Sequence, residues 1–319
     1  MRIGIIGAGA VGTFFGARLA RAGHEVTVLA RGETLDRLRS AGLTVTWEGD
    51  EAPAPVTVPV HAVAAPADIT AADGTPVDIV LLAVKATGET VDDRRRKIAA
   101  LISGIPGDPV IVTTQNSVEA HRLVADAVGE DRTWPGVVRG YFIHTGPATV
   151  RFVPPLASLT FGRWEGVGSI ADPRLVDFAE TLTGVGIDGI VRDDVWCDIW
   201  EKAMFVTCFG ALGAAADQPI GVLRTTLRSS LEGLISEAAA TARAAGVPLA
   251  ADAEARTLAF SDSQPAGATS SMQRDIAAGI AGELDSQLGA IMRVGDAAGV
   301  ETPLLDLIDG LLRLHLDRN

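Results

Sequence analysis

Cysteine is nearly absent from the chain: Cys197 and Cys208 are the only two, with no CxxC pair and no zinc-ligand spacing. They read as buried free thiols in a reducing compartment, so a cytoplasmic setting is expected. The five histidines, His24, His61, His121, His144 and His315, form no HxxxH pair or cluster, so no protein-bound metal is expected. Basic residues are outnumbered, 27 against 40 acidic ones, for a net charge of −13. That balance argues against nucleic acid or an anionic membrane as the main partner. A small anionic ligand needs only a local positive site and stays open. No run of about eighteen apolar residues is free of glycine breaks or charges, so no membrane-spanning helix is expected. No internal repeat is present either; the Ala-rich patches have no period.

What remains is a chain of 319 residues, 47% of them hydrophobic. Its mean hydropathy is positive, at +0.27. That length suits two domains, each able to bury its own core. The most informative stretch is the first. An apolar run from Ile3 to Ile6 breaks into Gly7-x-Gly9-x-x-Gly12 and then resumes with helical spacing. Strand, tight turn and helix start follow in the order a dinucleotide-binding βαβ unit requires. Gly7 permits the sharp exit, Gly9 lets backbone N–H groups approach a pyrophosphate, and Gly12 lets the helix lie close on the strand. The helix start at Ala10 and Val11 then turns its partial positive charge to the phosphates. Met1-Arg2 and the apolar run also mimic a secretory signal, but four glycines between residues 7 and 16 would break its helix.

Thr13 to Ala22 reads as a helix closed by Gly23, and Glu25–Leu29 as a second strand parallel to the first. An NAD enzyme places Asp or Glu at this strand's end for the ribose 2′-OH; here the sequence has Ala30-Arg31. A guanidinium there would pair with a 2′-phosphate, which favours NADP over NAD. A solvated arginine is the plainer alternative, and Glu33 lies two residues on. Residues 42–47 and 56–60 read as a lateral hairpin around a Pro-rich, acidic connection. Residues 77–85 form a continuous apolar strand that ends in Lys85 on the ligand side of the sheet. Asp92-Asp93-Arg94-Arg95-Arg96-Lys97 reads as a solvated helix face. Residues 109–114 form another core strand, which delivers Gln115-Asn116-Ser117 to the same edge. Shorter strands near 136–142, 149–153 and 158–161, a helix near 173–182 and a strand near 187–191 complete a first domain, 1–193.

From Asp194 the pattern turns helical to the end, giving a second domain, 194–319. A long apolar helix spans 196–216, and another spans 225–245, stopped by Gly246-Val247-Pro248. Ser270 with Gln273 fits a capping box that opens a third helix running past Glu283 to about Ala298. Thr302-Pro303 starts the last. The fold class is therefore α/β, a Rossmann-type dinucleotide-binding domain followed by an all-helical one. Lys202 stands out as a single cation among Trp196, Ile199, Trp200, Met204 and Phe205. It is a snorkelling lysine, a partner for Asp198 one turn back or a residue facing a functional cleft, and spacing alone favours the first two.

Taken together, Gly7-x-Gly9-x-x-Gly12, Arg31, Val84-Lys85, Gln115-Asn116, Trp200-x-Lys202, Ser270-Ser271-Met272-x-x-Asp275 and Glu283 resemble the ketopantoate reductase (2-dehydropantoate 2-reductase) family, in its order and over nearly the whole chain. The resemblance implies NADPH as cofactor and reduction of a 2-oxo acid to the 2-hydroxy acid on the route to pantothenate. It implies that Lys202 polarises the ketone and protonates the alkoxide, that Glu283 interacts with that lysine and the substrate, and that Ser271 contacts the substrate. Asn116 matches the asparagine near nicotinamide and substrate, and Lys85 a lysine on the cofactor side. A helix-capping role for Ser271 and a solvated position for Glu283 are the plainer alternatives.

Three positions depart from the family. Its asparagines four and eight residues after the lysine are Val206 and Gly210 here, and Ser117 replaces the glycine of Gln-Asn-Gly. A site without those amides should have relaxed or redirected specificity. The alternatives are therefore a relative that reduces a more apolar carbonyl and, in another class, a non-catalytic NADPH-binding redox sensor. A homodimer is the commonest assembly to expect of a soluble oligomer.

Overall fold

The computed structural model describes residues 1–49 and 52–318. It divides into two compact units, and segments 86–94 and 116–120 belong with the helical one, 196–319. The first unit begins with β1 (Arg2–Ile6), α1 (Ala10–Arg21), β2 (Glu25–Leu29), α2 (Gly32–Ser40), β3 (Leu43–Trp47), β4 (Val56–Val58), β5 (His61–Val63) and β6 (Ile79–Leu82). The chain continues through α3 (Val91–Ile102), whose residues 91–94 belong with the helical unit, β7 (Val110–Thr113), α4 (Ala120–Val128), β8 (Thr133–Trp134), β9 (Gly136–Gly146), β10 (Thr149–Phe161), α5 (Pro173–Gly184) and β11 (Asp188–Val191).

Six strands form a parallel sheet in the order β5-β2-β1-β6-β7-β8. That is the doubly wound dinucleotide order, with the chain reversing direction beside β1. Strands β1, β6 and β7 are almost wholly buried, as their unbroken apolar runs require. A second sheet was not legible in the sequence. The long strand β10 takes β3 and then β11 along one edge, both parallel, and pairs antiparallel with β9 on the other. The hairpin of β3 and β4 is therefore built into this sheet rather than standing to one side. The acidic residues 50 and 51 of its connection lie outside the described residues.

Helix α1 is covered on more than one face, which explains why it lacks a polar stripe. Its Phe14 ring meets Phe142 and Phe152 of the second sheet at 4.8 and 4.5 Å. A Cβ on Gly16 would lie 2.7 Å from Leu43 and 2.9 Å from Ile5, so the close approach there needs glycine.

The helical unit contains α6 (Val195–Ala216), α7 (Ile220–Leu223), α8 (Arg228–Ala244), α9 (Ala253–Ser263), α10 (Ser271–Ala277), α11 (Ala290–Ala298) and α12 (Pro303–Leu316). Helix α6 is long and apolar enough by composition to cross a membrane, but it carries Glu201, Lys202, Gly210 and Gly213, and 61% of that stretch is buried within the protein. The helix expected from Ser270 to Ala298 is broken. Gly279 and Gly282 adopt φ of +72° and +56°, values that end α10. The chain restarts at Leu284 through a π-helical turn, Asp285–Gly289. Helix α12 starts where Thr302-Pro303 placed it, but Thr302 makes no side-chain cap. Glu237 of α8 accepts from the N–H groups of Leu304 and Leu305 instead, at 2.9 and 3.0 Å. Cys208 is buried, which pushes its thiol up, whereas Cys197 is only half-buried, its Sγ 3.4 Å from the Pro248 carbonyl.

Candidate active site

The glycine turn between β1 and α1 has the conformation its sequence requires. Gly7 has φ +97°, and a Cβ there would lie 2.5 Å from Val84. A Cβ on Gly12 would fall 1.9 Å from the Gly7 carbonyl, so no side chain fits. Gly9 differs, because a Cβ there would meet nothing within 4 Å. The protein leaves open space on that side of the turn. Gly9 caps α1, whose first turn carries no acidic residue, so the helix start at Ala10, Val11 and Gly12 favours an anion.

The same turn lines a cleft of about 350 Å³ with Leu29, Ala30, Arg31, Thr34 and His144. Arg31 is exposed and caps α2 in extended conformation. A larger hollow of about 540 Å³ lies by Met1, Arg2, Asp78 and Pro109, at the opposite ends of the strands. Ligands of doubly wound sheets bind outside the carboxyl ends, which selects the smaller cleft. Lys85 is exposed three residues beyond β6, and Gln115 follows β7 by two residues. Gln115 is buried, and neither atom of its amide has a hydrogen-bond partner. An open cradle, a helix start and an unmet donor and acceptor together fit a dinucleotide. No local signal marks His144, which lies on β9, more than a hundred residues from the glycine turn.

In the helical unit, Lys202 Nζ donates to Asn116 Oδ1 at 2.6 Å, and both residues are half-buried. Lys202 lies two turns into α6; Asn116 lies on the segment 116–120. Glu283 is 6% exposed, so it is not on a solvated face. Its Oε1 accepts from the Ala86 N–H at 3.2 Å, and its Oε2 lies 3.5 Å from Gln287 Nε2. Ser271 is exposed as the first residue of α10. The cap itself is Ser270, whose Oγ accepts from the Gln273 N–H at 2.9 Å. Gln273 does not close the box; its amide donates to the Gln218 carbonyl at 3.1 Å.

The departures from the family also acquire physical reasons. Ser117 Oγ accepts from the N–H groups of Glu119 and Ala120, both at 3.2 Å, and so caps the entry to α4. Gly210 lies against the start of α10: a Cβ there would be 3.0 Å from Ser270 Oγ and 3.3 Å from Met272 Cβ. Val206, one turn after Lys202, is half-buried and offers no hydrogen-bonding side chain. The charged run 92–97 is not uniformly solvated, because Arg94 is 1% exposed. Among the described residues no group of three His, Cys, Asp or Glu is placed to hold a metal ion.

Comparison with known proteins gives a consistent picture. A family model described as ketopantoate reductase PanE/ApbA matches residues 3–166, and the model of that family's C-terminal domain matches 194–315. The 2-dehydropantoate 2-reductase of Mesorhizobium japonicum is 26% identical, over 98% of this chain and 97% of its own. An uncharacterized oxidoreductase of Bacillus subtilis, YkpB, is 24% identical over 99% of both. The crystal structure of 2-dehydropantoate 2-reductase from Geobacter metallireducens superposes with a TM-score of 0.85 at 25% identity, covering 98% of this chain and 99% of that one. D-mandelate dehydrogenase with NADH and anilino(oxo)acetate shares the fold, with a TM-score of 0.82 at 22% identity and coverage of 100% and 99%.

Proposed function

The chain belongs to the ketopantoate reductase PanE/ApbA family, and on that premise we propose that it reduces a 2-oxo acid to the 2-hydroxy acid with NADPH. NADPH, when bound, supplies the hydride for the carbonyl carbon. Lys202 polarises the carbonyl oxygen and gives its proton to the alkoxide, the charge for which reduction most needs a partner. Asn116 holds the ammonium in place by accepting a hydrogen bond from one of its three N–H groups. Glu283 assists with a buried carboxylate, and Ser271 contributes a hydroxyl to the substrate. Gly7, Gly9, Ala10, Val11 and Gly12 would hold the pyrophosphate, Arg31 the 2′-phosphate, and Lys85 a further anionic group of the cofactor.

The observation that carries this reading is the 2.6 Å hydrogen bond from Lys202 Nζ to Asn116 Oδ1. A surface lysine held only by its own helix would have no reason to meet an amide 86 positions away. Two free thiols with no disulfide accord with a reducing cytoplasm.

A second reading concerns the substrate. With Val206 in place of an amide and the Gly210 position closed by Ser270 and Met272, α6 offers no amide at either position for a substrate hydroxyl. We therefore favour a 2-oxo acid with an apolar tail. The test is NADPH oxidation with ketopantoate and with 3,3-dimethyl-2-oxobutanoate, the same acid without its hydroxyl. A site built for the hydroxyl would reject the second by about 10⁴-fold. Here kcat/KM for the two should agree within about tenfold, as an apolar pocket discriminates only weakly. Oxidation of NADPH by neither acid, nor by any of a panel of 2-oxo acids, would overturn the reading.

A further inference from the structure

Arg94 occupies an unusual place for a residue in so charged a run. It is 1% exposed, and its guanidinium spans two carboxylates, Asp285 Oδ2 at 2.7 Å and Glu119 Oε2 at 3.3 Å. Its Nη1 also donates to the Gly88 carbonyl at 3.2 Å. Arg293 of α11 spans the same two carboxylates, at 2.7 Å to Glu119 and 3.1 Å to Asp285. Arg313 of α12 reaches Asp285 at 3.1 Å and Asp309 at 2.6 Å. Three guanidiniums thus alternate with three carboxylates.

Each segment that Arg94 itself meets also carries a residue of the candidate site or the partner of one. Glu119 lies three residues from Asn116, Asp285 two from Glu283, and Gly88 two from Ala86, whose N–H donates to Glu283. Lys202 comes from α6, so its acceptor on 116–120 is held in place from outside that helix. We propose that Arg94 is a positioning residue, acting through Glu119 and Asp285 to fix Asn116 against the Lys202 ammonium and Glu283 against the Ala86 amide. The proposal rests on the reading of Lys202 as proton donor. A buried guanidinium cannot drift from its carboxylates without leaving a charge uncompensated, which makes the cluster stiff. A lysine in its place would keep the charge but could not bridge both partners in one plane.

The experiment compares Arg94→Lys in the wild-type and Asn116→Ala backgrounds, using the 2-oxo acid that the wild type turns over best. Displacing a proton donor by about 1 Å costs about 100-fold, so kcat should fall by about 30- to 100-fold in the wild-type background. KM and the NADPH Kd should stay within about threefold. Where Asn116 is already gone, the same change should lower kcat by no more than about tenfold, because only the Glu283 arm is left to lose, the non-additivity expected of residues acting as one unit. Glu119→Gln, which keeps the side chain's shape, should repeat the pattern if Arg94→Lys does not fold. Equal losses in both backgrounds, or no loss in either, would overturn the proposal.

A second readout does not depend on turnover. The chain has three lysines, Lys85, Lys97 and Lys202, so lysine labelled at ¹⁵Nζ gives three ammonium signals. The signal missing from Lys202→Ala should show slow hydrogen exchange in the wild type and move towards that of exposed Lys97 in Glu119→Gln, which leaves the number of lysines at three. An unmoved signal would overturn the positioning role. Absence of turnover in the wild type would instead overturn the functional reading alone.

Discussion

Lys202 and Asn116 meet at 2.6 Å, ammonium to amide oxygen, although 86 positions separate them in the chain. Lys202 comes from a helix of mostly apolar residues, Asn116 from a short segment that packs with the same unit. The Asn116 oxygen accepts this hydrogen bond as a neutral amide.

Under the proposed function, Arg31 sets the choice of cofactor. Its guanidinium is exposed on the rim of the cleft lined by the glycine turn, free of any acidic neighbour in that lining. Arg31→Ala should raise the Kd for NADPH by about tenfold or more and leave that for NADH within about twofold. Fluorescence titration with the two nucleotides checks this. Equal losses for both would remove the case for 2′-phosphate recognition.

Under the proposed function, Val206 sets the substrate preference. Val206→Asn places an amide one turn after Lys202, on the same face of α6, and should raise kcat/KM for ketopantoate by about tenfold. Gly210→Asn should bring no such gain. Its Cβ would already press on Ser270 Oγ at 3.0 Å, and overfilling a packed contact destabilises by about 1–3 kcal/mol. Steady-state kinetics with thermal melts separates the two effects. An unchanged kcat/KM in a folded Val206→Asn protein would dissociate that position from specificity.

Acid should loosen the cluster around Asp285 before it affects the glycine turn. Burial alone would push this carboxyl up, but the guanidiniums of Arg293 and Arg94 outweigh it and hold the group below its ordinary range. A depressed carboxyl adds stability that is complete above its unfolded value, about 3.9, and is lost as pH falls through the lower folded value. Urea unfolding should therefore show a steeper loss of stability below about pH 4 in the wild type than in Asp285→Asn. Parallel losses would contradict this charge balance.

Much of the first unit was legible because its signals are local. An unbroken apolar run reads as a buried parallel strand, and Gly7, Gly9 and Gly12 impose their turn wherever the chain goes. Strand β2 occupies Glu25–Leu29 as read. The second sheet was not legible, since β3 finds β10 about a hundred residues away and nothing local records that pairing. The break between α10 and α11 hides for the opposite reason: Gly279 and Gly282 sit in a stretch whose other residues suit a helix. In the site, residue types with a chemical purpose could be picked out, but their burial could not. Arg94 looked solvated because its neighbours in the run are, while its partners Glu119 and Asp285 lie 25 and 191 positions away. Ser117 read as a bare departure from a motif until its hydroxyl was found capping α4.

The most direct test of the account is the rate of NADPH oxidation by wild type and Lys202→Ala, with the preferred 2-oxo acid saturating and NADPH binding measured alongside. Loss of a general acid costs about 10²- to 10⁴-fold. In Lys202→Ala, kcat should fall by that factor with the NADPH Kd unchanged. A mutant that binds NADPH and turns over within about threefold of wild type would contradict it.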